Sequence, residues 1–244
     1  MTNPIFSIVT VTLNNGSGLE KTLDSIISQN FFEYEIIVID GESSDNTKEI
    51  IEKRIGHIAY YCSEKDCGIY DAMNKGLSKT TGTWVNFLNS GDIYASSNVL
   101  NDIYSRICDN SNASIIYSDL FQQYFRKNGK KEFKHIILDH NKRLINHQAV
   151  FYKRKLHDKT GNYISINGFY LADYLFFHNL FFLNLDFVKT ENIIAVSDPT
   201  GISSKRENYQ NRLLLDVIIL KKSFILTCVK VAAHAILFNL KKIF

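Results

Sequence analysis

Short apolar runs alternate with amphipathic segments over the first hundred residues of the chain. The apolar runs are rich in β-branched residues and too brief for helices, so each predicts a buried strand. They cover residues 6–12, 35–40, 58–62 and 84–88. Helical spacing of apolar residues follows residue 18, follows Asp45 and covers residues 70–79. Strands and helices that alternate at this spacing predict an α/β fold with a mostly parallel sheet.

The second half of the chain is less regular. Further strand-like runs cover residues 114–118, 149–152, 186–189 and 193–196. Residues 121–133 predict a hairpin, because Asn128-Gly129 favours the left-handed turn between its strands. The aromatic segment 169–185 predicts a helix that contains Asp173. We find no linker composition that would separate two folded domains within residues 1–204.

Polar side chains follow three of the predicted strands. Asn14, Asp40 and Asp92 each lie at or just after the carboxyl end of a strand. Ligands of parallel sheets bind beyond these ends, where loops from separate segments converge. The pattern therefore predicts a binding site at one edge of the sheet.

Composition narrows the functional classes. With 244 residues, 45% of them hydrophobic, the chain can bury a sizeable core and is not a disordered tail. The net charge of +3 is too small to indicate a nucleic-acid-binding protein. Four cysteines, none in a CxxC pair, favour neither a disulfide scaffold nor a zinc site, so we expect a reducing, cytoplasmic setting. Met1–Pro4 is uncharged, and we expect no secretory leader.

The charge is unevenly distributed. Residues 205–244 contain eight basic and two acidic residues, a charge of +6, which leaves −3 on residues 1–204. Within this tail, Ser223–Leu240 has barely the length of a membrane span, and Lys230 and His234 interrupt it. We therefore expect a basic amphipathic helix that lies on a membrane surface. A helix that packs on the body of the protein or on a partner subunit is the alternative.

Familiar phosphate-binding loops are absent. The segment after the first strand lacks the third glycine of GxGxxG, and the chain has no GxxxxGK[ST] loop. No arginine precedes Arg54, although a sugar nucleotidyltransferase needs an arginine-bearing loop after its first strand. Any nucleotide must therefore be held by other means.

Four motifs, in order, resemble the inverting glycosyltransferases of family 2. They are FSIVTVTLNN (6–15), IIVIDGESSDNT (36–47), SEKDCGIYDAMNKGL (63–77) and WVNFLNSGD (84–92). The resemblance implies the GT-A fold, a Rossmann-like, mostly parallel sheet flanked by helices, here followed by the helical tail 205–244. Residues 1–204 would form the glycosyltransferase domain, with a nucleotide-sugar-binding half (1–100) and an acceptor-side half (101–204).

The resemblance is strongest to enzymes that build bacterial exopolysaccharide, capsule and O-antigen units. It implies transfer of a hexose or N-acetylhexosamine from a UDP-sugar to a lipid-diphosphate-linked or oligosaccharide acceptor. With the tail, it predicts a cytoplasmic protein that is peripheral on the inner face of the cell membrane. A homo-oligomer and a GDP-sugar donor stay open, and no nucleic-acid partner is expected.

The resemblance also implies a set of donor-binding residues. Asp40 would accept a hydrogen bond from a uracil N–H, which suits a carboxylate because it can only accept. The remaining donor-binding candidates are Val11 and Leu13 at the base, Asp66, Asp71 and Asn74 beneath the ribose, and Asn89 and His147 on the sugar side. Ordinary strand, cap, turn and core roles are the alternatives at these positions.

A degenerate metal motif follows the fourth strand. Asn89-Ser90-Gly91-Asp92 stands where the family usually carries Asp-x-Asp, so only Asp92 keeps a charge. Asp92 would bind Mn²⁺ or Mg²⁺ together with the donor diphosphate, more weakly than the complete motif. The loss of Asp at the first and third positions, now Asn89 and Gly91, motivates an alternative function, a non-catalytic subunit that binds a sugar nucleotide or a glycan.

Asp173 is the candidate catalytic base. It lies 81 positions beyond Asp92, at the start of a predicted helix, where the family carries its base. A lone Asp among aromatic residues is unusual, because an unpaired buried charge is costly. A helix cap is the alternative role.

Overall fold

The computed structural model describes residues 4–126, 128–142, 145–166 and 169–198. The strands are β1 Phe6–Thr12, β2 Tyr34–Asp40, β3 Tyr60–Ser63, β4 Trp84–Phe87, β5 Ile93–Tyr94, β6 Ile115–Tyr117, β7 Leu120–Phe125, β8 Lys131–Ile136, β9 Val150–Lys153, β10 Phe187–Lys189 and β11 Ala195–Ser197. The α-helices are α1 Gly16–Ile27, α2 Thr47–Arg54, α3 Ile69–Leu77, α4 Val99–Asp109, α5 His157–Thr160 and α6 Ala172–Leu180.

Seven strands form the main sheet, in the order β10-β6-β9-β4-β1-β2-β3. Neighbouring strands are parallel except at β9, which runs antiparallel to both β4 and β6. The predicted α/β fold with a mostly parallel sheet is therefore confirmed. The central strand β1 lies between β2 and β4, so the loops that follow these three strands are neighbours.

Alternating residues of the central strands enter two separate cores, one on each face of the sheet. Val9 and Val11 pack with apolar residues of α3 and α6, whereas Phe6 and Ile8 pack with those of α1, α2 and α4. Side chains of a strand point alternately to opposite faces, and both faces of this sheet are covered. This explains why β1 has an uninterrupted apolar run rather than a polar alternation.

A second sheet of four strands has the order β5-β11-β7-β8. β7 and β8 form the predicted hairpin, and Gly129 in its turn has a positive φ of 77°. β5 begins directly after Asp92 and β11 ends directly before Asp198, so this sheet borders the end of β4. The sequence pattern predicts the hairpin and β11 but does not assign them to a separate sheet.

Three helices differ from the sequence-based expectation. The sequence pattern predicts neither the short α5 nor α4, although the buried residues Val99, Leu100 and Ile103 of α4 have helical spacing. α6 spans only Ala172–Leu180 of the expected 169–185, and the chain turns after it towards β10. No helix of the described ranges is long and apolar enough to cross a bilayer. The predicted tail 205–244 lies outside the described residues.

Candidate active site

The ends of β1, β2 and β4 meet at one edge of the main sheet. The backbone N–H of Ser90 donates to the carbonyl of Val11 at 3.1 Å, which extends the pairing of β4 with β1 beyond the strand itself. On the other side of β1, the N–H of Gly41 donates to the carbonyl of Thr12 at 3.0 Å. The loops after β2 and β4 therefore flank the end of β1, as the sequence predicts.

Two polar residues that the sequence reasoning missed fix the loop after β4. Asn15 caps α1 and donates through Nδ2 to the carbonyl of Ser90 at 3.1 Å. Thr22 Oγ1 donates to the carbonyl of Asp92 at 2.7 Å and accepts from the N–H of Gly91 at 2.9 Å. Helix α1 thus positions the loop that carries Asp92. Asn15 lies within the quoted motif, whereas Thr22 carries no sequence signal.

Asp40 is buried at the end of β2, with 1% of its surface exposed. Its carboxylate accepts hydrogen bonds from the N–H and the hydroxyl of Ser43 and, at 2.6 Å, from the hydroxyl of Ser63. The N–H of Ser43 lies 3.2 Å from each carboxylate oxygen, so these contacts take up the about four acceptor positions of the carboxylate. Asp40 orders the loop after β2 in this conformation, and a further N–H donor would replace one of these contacts.

Gly41 lies between two of the predicted donor-binding residues. A Cβ atom added here would lie 2.5 Å from Oδ2 of Asp66 and 3.3 Å from Cδ1 of Leu13. Leu13 is 56% exposed at this edge, whereas Val11 is buried in the core and supplies the backbone carbonyl that pairs with Ser90. Leu13, Asp40 and Asp66 are therefore close to one another around Gly41.

Two other predicted donor-binding side chains have protein partners. Asn74 forms a pair of hydrogen bonds with the backbone of Tyr163, at 2.8 and 3.0 Å. Asp71 accepts from the N–H of Cys67 at 2.9 Å and lies 3.3 Å from Nζ of Lys75. These contacts hold the loop before α3 and the segment around Tyr163, and the donor-binding roles of both residues stay predictions.

Asp173 lies in a chain of side-chain contacts that crosses the site. Its Oδ1 accepts from the hydroxyl of Tyr70 at 2.6 Å, and its Oδ2 lies 2.8 Å from Nδ1 of His147. Nε2 of His147 lies 3.2 Å from Nδ2 of Asn89. The structure thus brings three of the predicted residues together, and Tyr70 is a fourth member that sequence reasoning did not identify.

Asp173 and His147 shift each other's pKa in opposite directions. Burial raises the pKa of Asp173, but the hydrogen bonds from His147 and Tyr70 and the charge of His147 hold it below its usual value. Burial lowers the pKa of His147, but its contact with Asp173 and the charges of Asp173 and Asp92 raise it overall. Asp173 also lies in the first turn of α6, where the helix dipole favours a negative charge. The carboxylate is therefore ionised and held by two donors.

Asp92 has a different environment. It is 6% exposed, and burial is the main reason that its pKa rises to about 6. Its Oδ1 accepts from the backbone N–H of Asp198 at 2.9 Å, and the Asp198 carboxylate lies close to Gly91. The Gln148 side chain partly offsets the effect of burial and lowers the pKa of Asp92. Asp198 and Gln148 were not among the predicted residues.

The loop after β4 carries oxygen atoms of the kind that a hard divalent cation prefers. Oδ1 of Asn89 is buried and has no hydrogen-bond partner in the described part of the chain. Carboxylate and amide oxygens are the ligands that Mg²⁺ and Mn²⁺ prefer. Among the described residues, no group of three or more His, Cys, Asp or Glu side chains could hold a metal ion by itself. A cation here would need further oxygen ligands, as Mg²⁺ sites that bind substrate phosphates do.

Comparisons with known proteins agree with this geometry. The family model for glycosyl transferase family 2 matches residues 7–175. A Mycobacterium bovis protein named PGL/p-HBAD biosynthesis glycosyltransferase is 33% identical over 168 residues, which are 67% of this chain and 64% of the relative. The family match includes the loops that follow β1, β2 and β4.

Two solved structures have a similar fold. S. aureus TarS 1-349 in complex with UDP-GlcNAc has a TM-score of 0.69 at 16% identity and covers 90% of this chain and 67% of that chain. The mannosyltransferase PcManGT from Pyrobaculum calidifontis, in complex with GDP-Man and Mn²⁺, has a TM-score of 0.68 at 15% identity, with coverages of 91% and 66%. These likenesses confirm the GT-A fold.

The chain spans about two thirds of the length of these relatives. The family match covers most of the residues that the structure describes, from β1 into α6. Asp40, Asp92, His147 and Asp173 all lie within it. On this match, the chain belongs to glycosyl transferase family 2.

Proposed function

We propose that the protein is an inverting glycosyltransferase that moves a hexose or N-acetylhexosamine from a UDP-sugar to a glycan acceptor linked to a lipid diphosphate. The observation that carries this proposal is the pairing of Asp173 with Tyr70 and His147 at the sheet edge that also bears Asp92. An ionised carboxylate with two fixed donors, close to a cation-binding carboxylate, is the arrangement that direct displacement at a sugar carbon needs.

Asp173 is the general base in this proposal. The acceptor hydroxyl oxygen forms a bond to the anomeric carbon while the bond from that carbon to the nucleoside diphosphate breaks. The hydroxyl proton goes to Asp173, and the bonding pair of the broken bond leaves with the UDP. General-base assistance of this kind contributes about 10²–10⁴-fold. Tyr70 and His147 fix the orientation of the carboxylate and are positioning residues.

Asp92 and the amide oxygen of Asn89 are the protein groups that would hold Mn²⁺ or Mg²⁺. A bound cation would supply charge stabilisation at the departing diphosphate. Burial of Asp92 next to Asp198 disfavours its ionised form, so a cation and a proton would compete for this carboxylate.

Asp40, Leu13 and Asp66 form the base end of the proposed donor site, with Asp40 accepting from the N3–H of uracil. The place of Asp40 at the end of β2, beside Leu13 and Asp66 around Gly41, supports this assignment. A uracil N–H would replace one of the hydrogen bonds that Asp40 now accepts. UDP is favoured because the resemblance implies a uracil at this carboxylate, although the two similar structures hold different nucleotides. Asp71 and Asn74 lie on α3 beside this end, and they would contact the ribose only if their present contacts were exchanged.

We place the protein in surface-polysaccharide assembly, on the cytoplasmic face of the membrane. The resemblance to exopolysaccharide, capsule and O-antigen enzymes supports the pathway class. The basic, apolar composition of residues 205–244 supports peripheral attachment.

The release of UDP from candidate UDP-sugars, with Mn²⁺ and a lipid-diphosphate-linked glycan, tests this function. We expect UDP release that depends on the acceptor, and NMR of the product should show an anomeric configuration opposite to that of the donor. A retained configuration would contradict direct displacement. Donor binding without any turnover would instead favour the non-catalytic subunit that the degenerate metal motif suggests.

A further inference from the structure

The two faces of the β7–β8 hairpin have unusual compositions. In its register, Leu120 pairs with Ile136 and Phe121 with His135, so successive pairs lie on opposite faces. Leu120 and Ile136 pack in the core that also contains Val9 and Val11 of β1. The face that bears Phe121 and His135 therefore points away from the body of the protein.

This outward face is rich in exposed apolar residues, whereas solvent-exposed faces of sheets are ordinarily polar. We call it the hairpin face, and it consists of Phe121, Gln123, Phe125, Lys131, Phe133 and His135, with Ile137 directly after β8. Phe125 is 58% exposed, Phe133 is 53% exposed and Ile137 is 65% exposed. Single exposed apolar residues are common, but neighbouring ones on one face indicate an interaction surface.

The hairpin is also strongly basic. Residues 126–134 contain five basic residues and one acidic residue. The acidic residue, Glu132, pairs with Arg126 at 2.7 Å. Nζ of Lys131 lies 5.3 Å from the ring centre of Phe133, so the aliphatic part of the lysine lies along the aromatic surface. Exposed aromatic rings combined with lysines suit the boundary between water and an anionic bilayer.

The hairpin projects from the sheet edge that carries the candidate site. β7 is parallel to β11, and Gln122 is opposite Ser197 in the register. Asp198 comes directly after β11, and its backbone N–H donates to Oδ1 of Asp92. β7 continues in the same direction for three more residues to Phe125, about 10 Å at the usual rise per residue. The exposed tip therefore extends past the end of the sheet where Asp92 lies.

We propose that the hairpin face and its basic turn dock on an anionic lipid surface. The charge of the turn identifies the occupant, because each lysine near such a surface adds about 1 kcal/mol, or about fivefold in affinity. A second copy of the chain is a poorer fit. β8 is an edge strand with exposed Lys131 and Lys134, and edge lysines oppose strand-to-strand pairing.

Sedimentation with vesicles tests the proposal on the full chain. The probes are vesicles of phosphatidylcholine with phosphatidylglycerol and vesicles of phosphatidylcholine alone. We expect the Lys130→Ala/Lys131→Ala variant, which removes exposed lysines of the turn and of the hairpin face, to lose about 25-fold in affinity for the anionic vesicles, from about fivefold per lysine. Phe125→Ser/Phe133→Ser should lose at least about tenfold, because two exposed rings no longer enter the interface.

Matched controls separate the hairpin from general surface effects. Phe32 is 89% exposed outside the hairpin, and Phe32→Ser should bind vesicles like the unmodified protein. Lys48→Ala/Lys53→Ala removes two exposed lysines of α2 and should change affinity less than about twofold, because only charges near the lipid surface contribute. If the phenylalanine variant fails to fold, the lysine variant carries the test, since its side chains are exposed.

Three results would overturn the proposal. They are unchanged vesicle binding by both hairpin variants, equal binding to neutral and anionic vesicles, and a dimer in solution that Phe125→Ser/Phe133→Ser dissociates. Vesicle binding does not require sugar transfer, so it is independent of the proposed function. UDP release with a water-soluble acceptor should be the same in the hairpin variants and in the unmodified protein. If the unmodified protein releases no UDP, that result counts only against the proposed function.

Discussion

Asp173 shows how this site keeps a buried carboxylate ionised. Burial alone would favour the neutral acid, whereas Tyr70 donates to one oxygen and His147 contacts the other. Burial, together with the charge of Asp173, raises the pKa of Tyr70 well above its usual value, so its phenol stays protonated and remains a donor. Fixed donors of this kind lower the basicity of the carboxylate but keep it deprotonated and oriented.

Replacement of His147 tests this balance. His147→Asn removes a contact that offsets the effect of burial on the pKa of Asp173. This pKa should therefore rise, and the acidic limb of the pH–rate profile should move to higher pH. We expect kcat to fall by about 10–100-fold, because a poorly positioned base loses much of its 10²–10⁴-fold contribution. The pH dependence of kcat is the measurement. His57→Asn, at an exposed position outside the site, is the control, and an unshifted acidic limb in His147→Asn would contradict the balance.

Asp92 should reduce stability when no cation is bound. Its folded pKa of about 6 is above the ordinary value of 3.8, so the folded state holds the proton more tightly than the unfolded state. This contribution to stability therefore falls as pH rises from about 3.8 to about 6. Asp92→Asn should raise stability by about 1–3 kcal/mol at pH 7.5 without metal, or by about 2–10 °C in Tm.

The same variant should lose its response to Mn²⁺ and UDP-sugar in thermal melting, which links the stability cost to the binding role. The opposite result, a less stable Asp92→Asn protein at neutral pH, would show that ionised Asp92 stabilises the fold instead.

At the residue scale, sequence reasoning identifies the carboxylates but not all of their partners. Asp40, Asp92 and Asp173 follow from motif positions and strand ends. Tyr70 is 103 positions from Asp173, and its motif position gives no sign of that contact. Asp198 is 106 positions from Asp92 and lies beyond the family match, so only the folded chain brings the two together.

Helix α3 packs on the central sheet at unusually close range. A Cβ atom on Gly76 would lie 2.4 Å from Cγ1 of Val9 and 3.3 Å from Cγ1 of Ile39. Both neighbours are fully or almost fully buried, so neither can move away easily. This close packing of α3 on the sheet matters for the site, because α3 carries Tyr70.

Gly76→Ala should therefore lower the free energy of unfolding by about 1–3 kcal/mol, the usual cost of overpacking a core. Chemical denaturation measures the effect. Gly56→Ala is the matched control, because a Cβ atom there meets nothing within 4 Å. Equal stability of the two variants would mean that α3 can shift on the sheet.

At the element scale, the pattern of apolar residues predicts the strands that are buried on both faces of the sheet. The strands β1, β2 and β4 are well predicted, because the segments next to them have no comparable apolar run. β5 has only two residues and pairs with β11, about a hundred positions away, so local pattern carries little information about it. The short α6 has apolar residues without a clear one-sided pattern, and no side-chain cap marks its start, so its bounds are hard to predict from local sequence.

The whole molecule combines an acidic body with a basic tail. Residues 1–204 carry −3 and residues 205–244 carry +6, a division that composition alone reveals. The hairpin adds a second basic and apolar surface, within the described residues. Its strands were predicted from the turn residues, whereas its exposed apolar face follows only from the register of the folded sheet.

Deletion of residues 205–244 should move the protein from the membrane fraction towards the soluble fraction. The tail carries a net charge of +6, and electrostatic attraction to anionic lipid grows with each basic residue. Fractionation of cells that express the full and shortened chains is the measurement. Unchanged partitioning would show that attachment does not depend on the tail.

The central claim is that Asp173 is the base for glycosyl transfer at this sheet edge. Its most direct test compares Asp173→Asn with the unmodified protein in donor binding and in acceptor-dependent UDP release. Asp158→Asn makes the same change in the first turn of α5, at an exposed position, and is the control. We expect Asp173→Asn to bind the donor normally and to lose transfer by about 10²-fold or more, with Asp158→Asn unaffected. Near-normal transfer by Asp173→Asn would contradict the account.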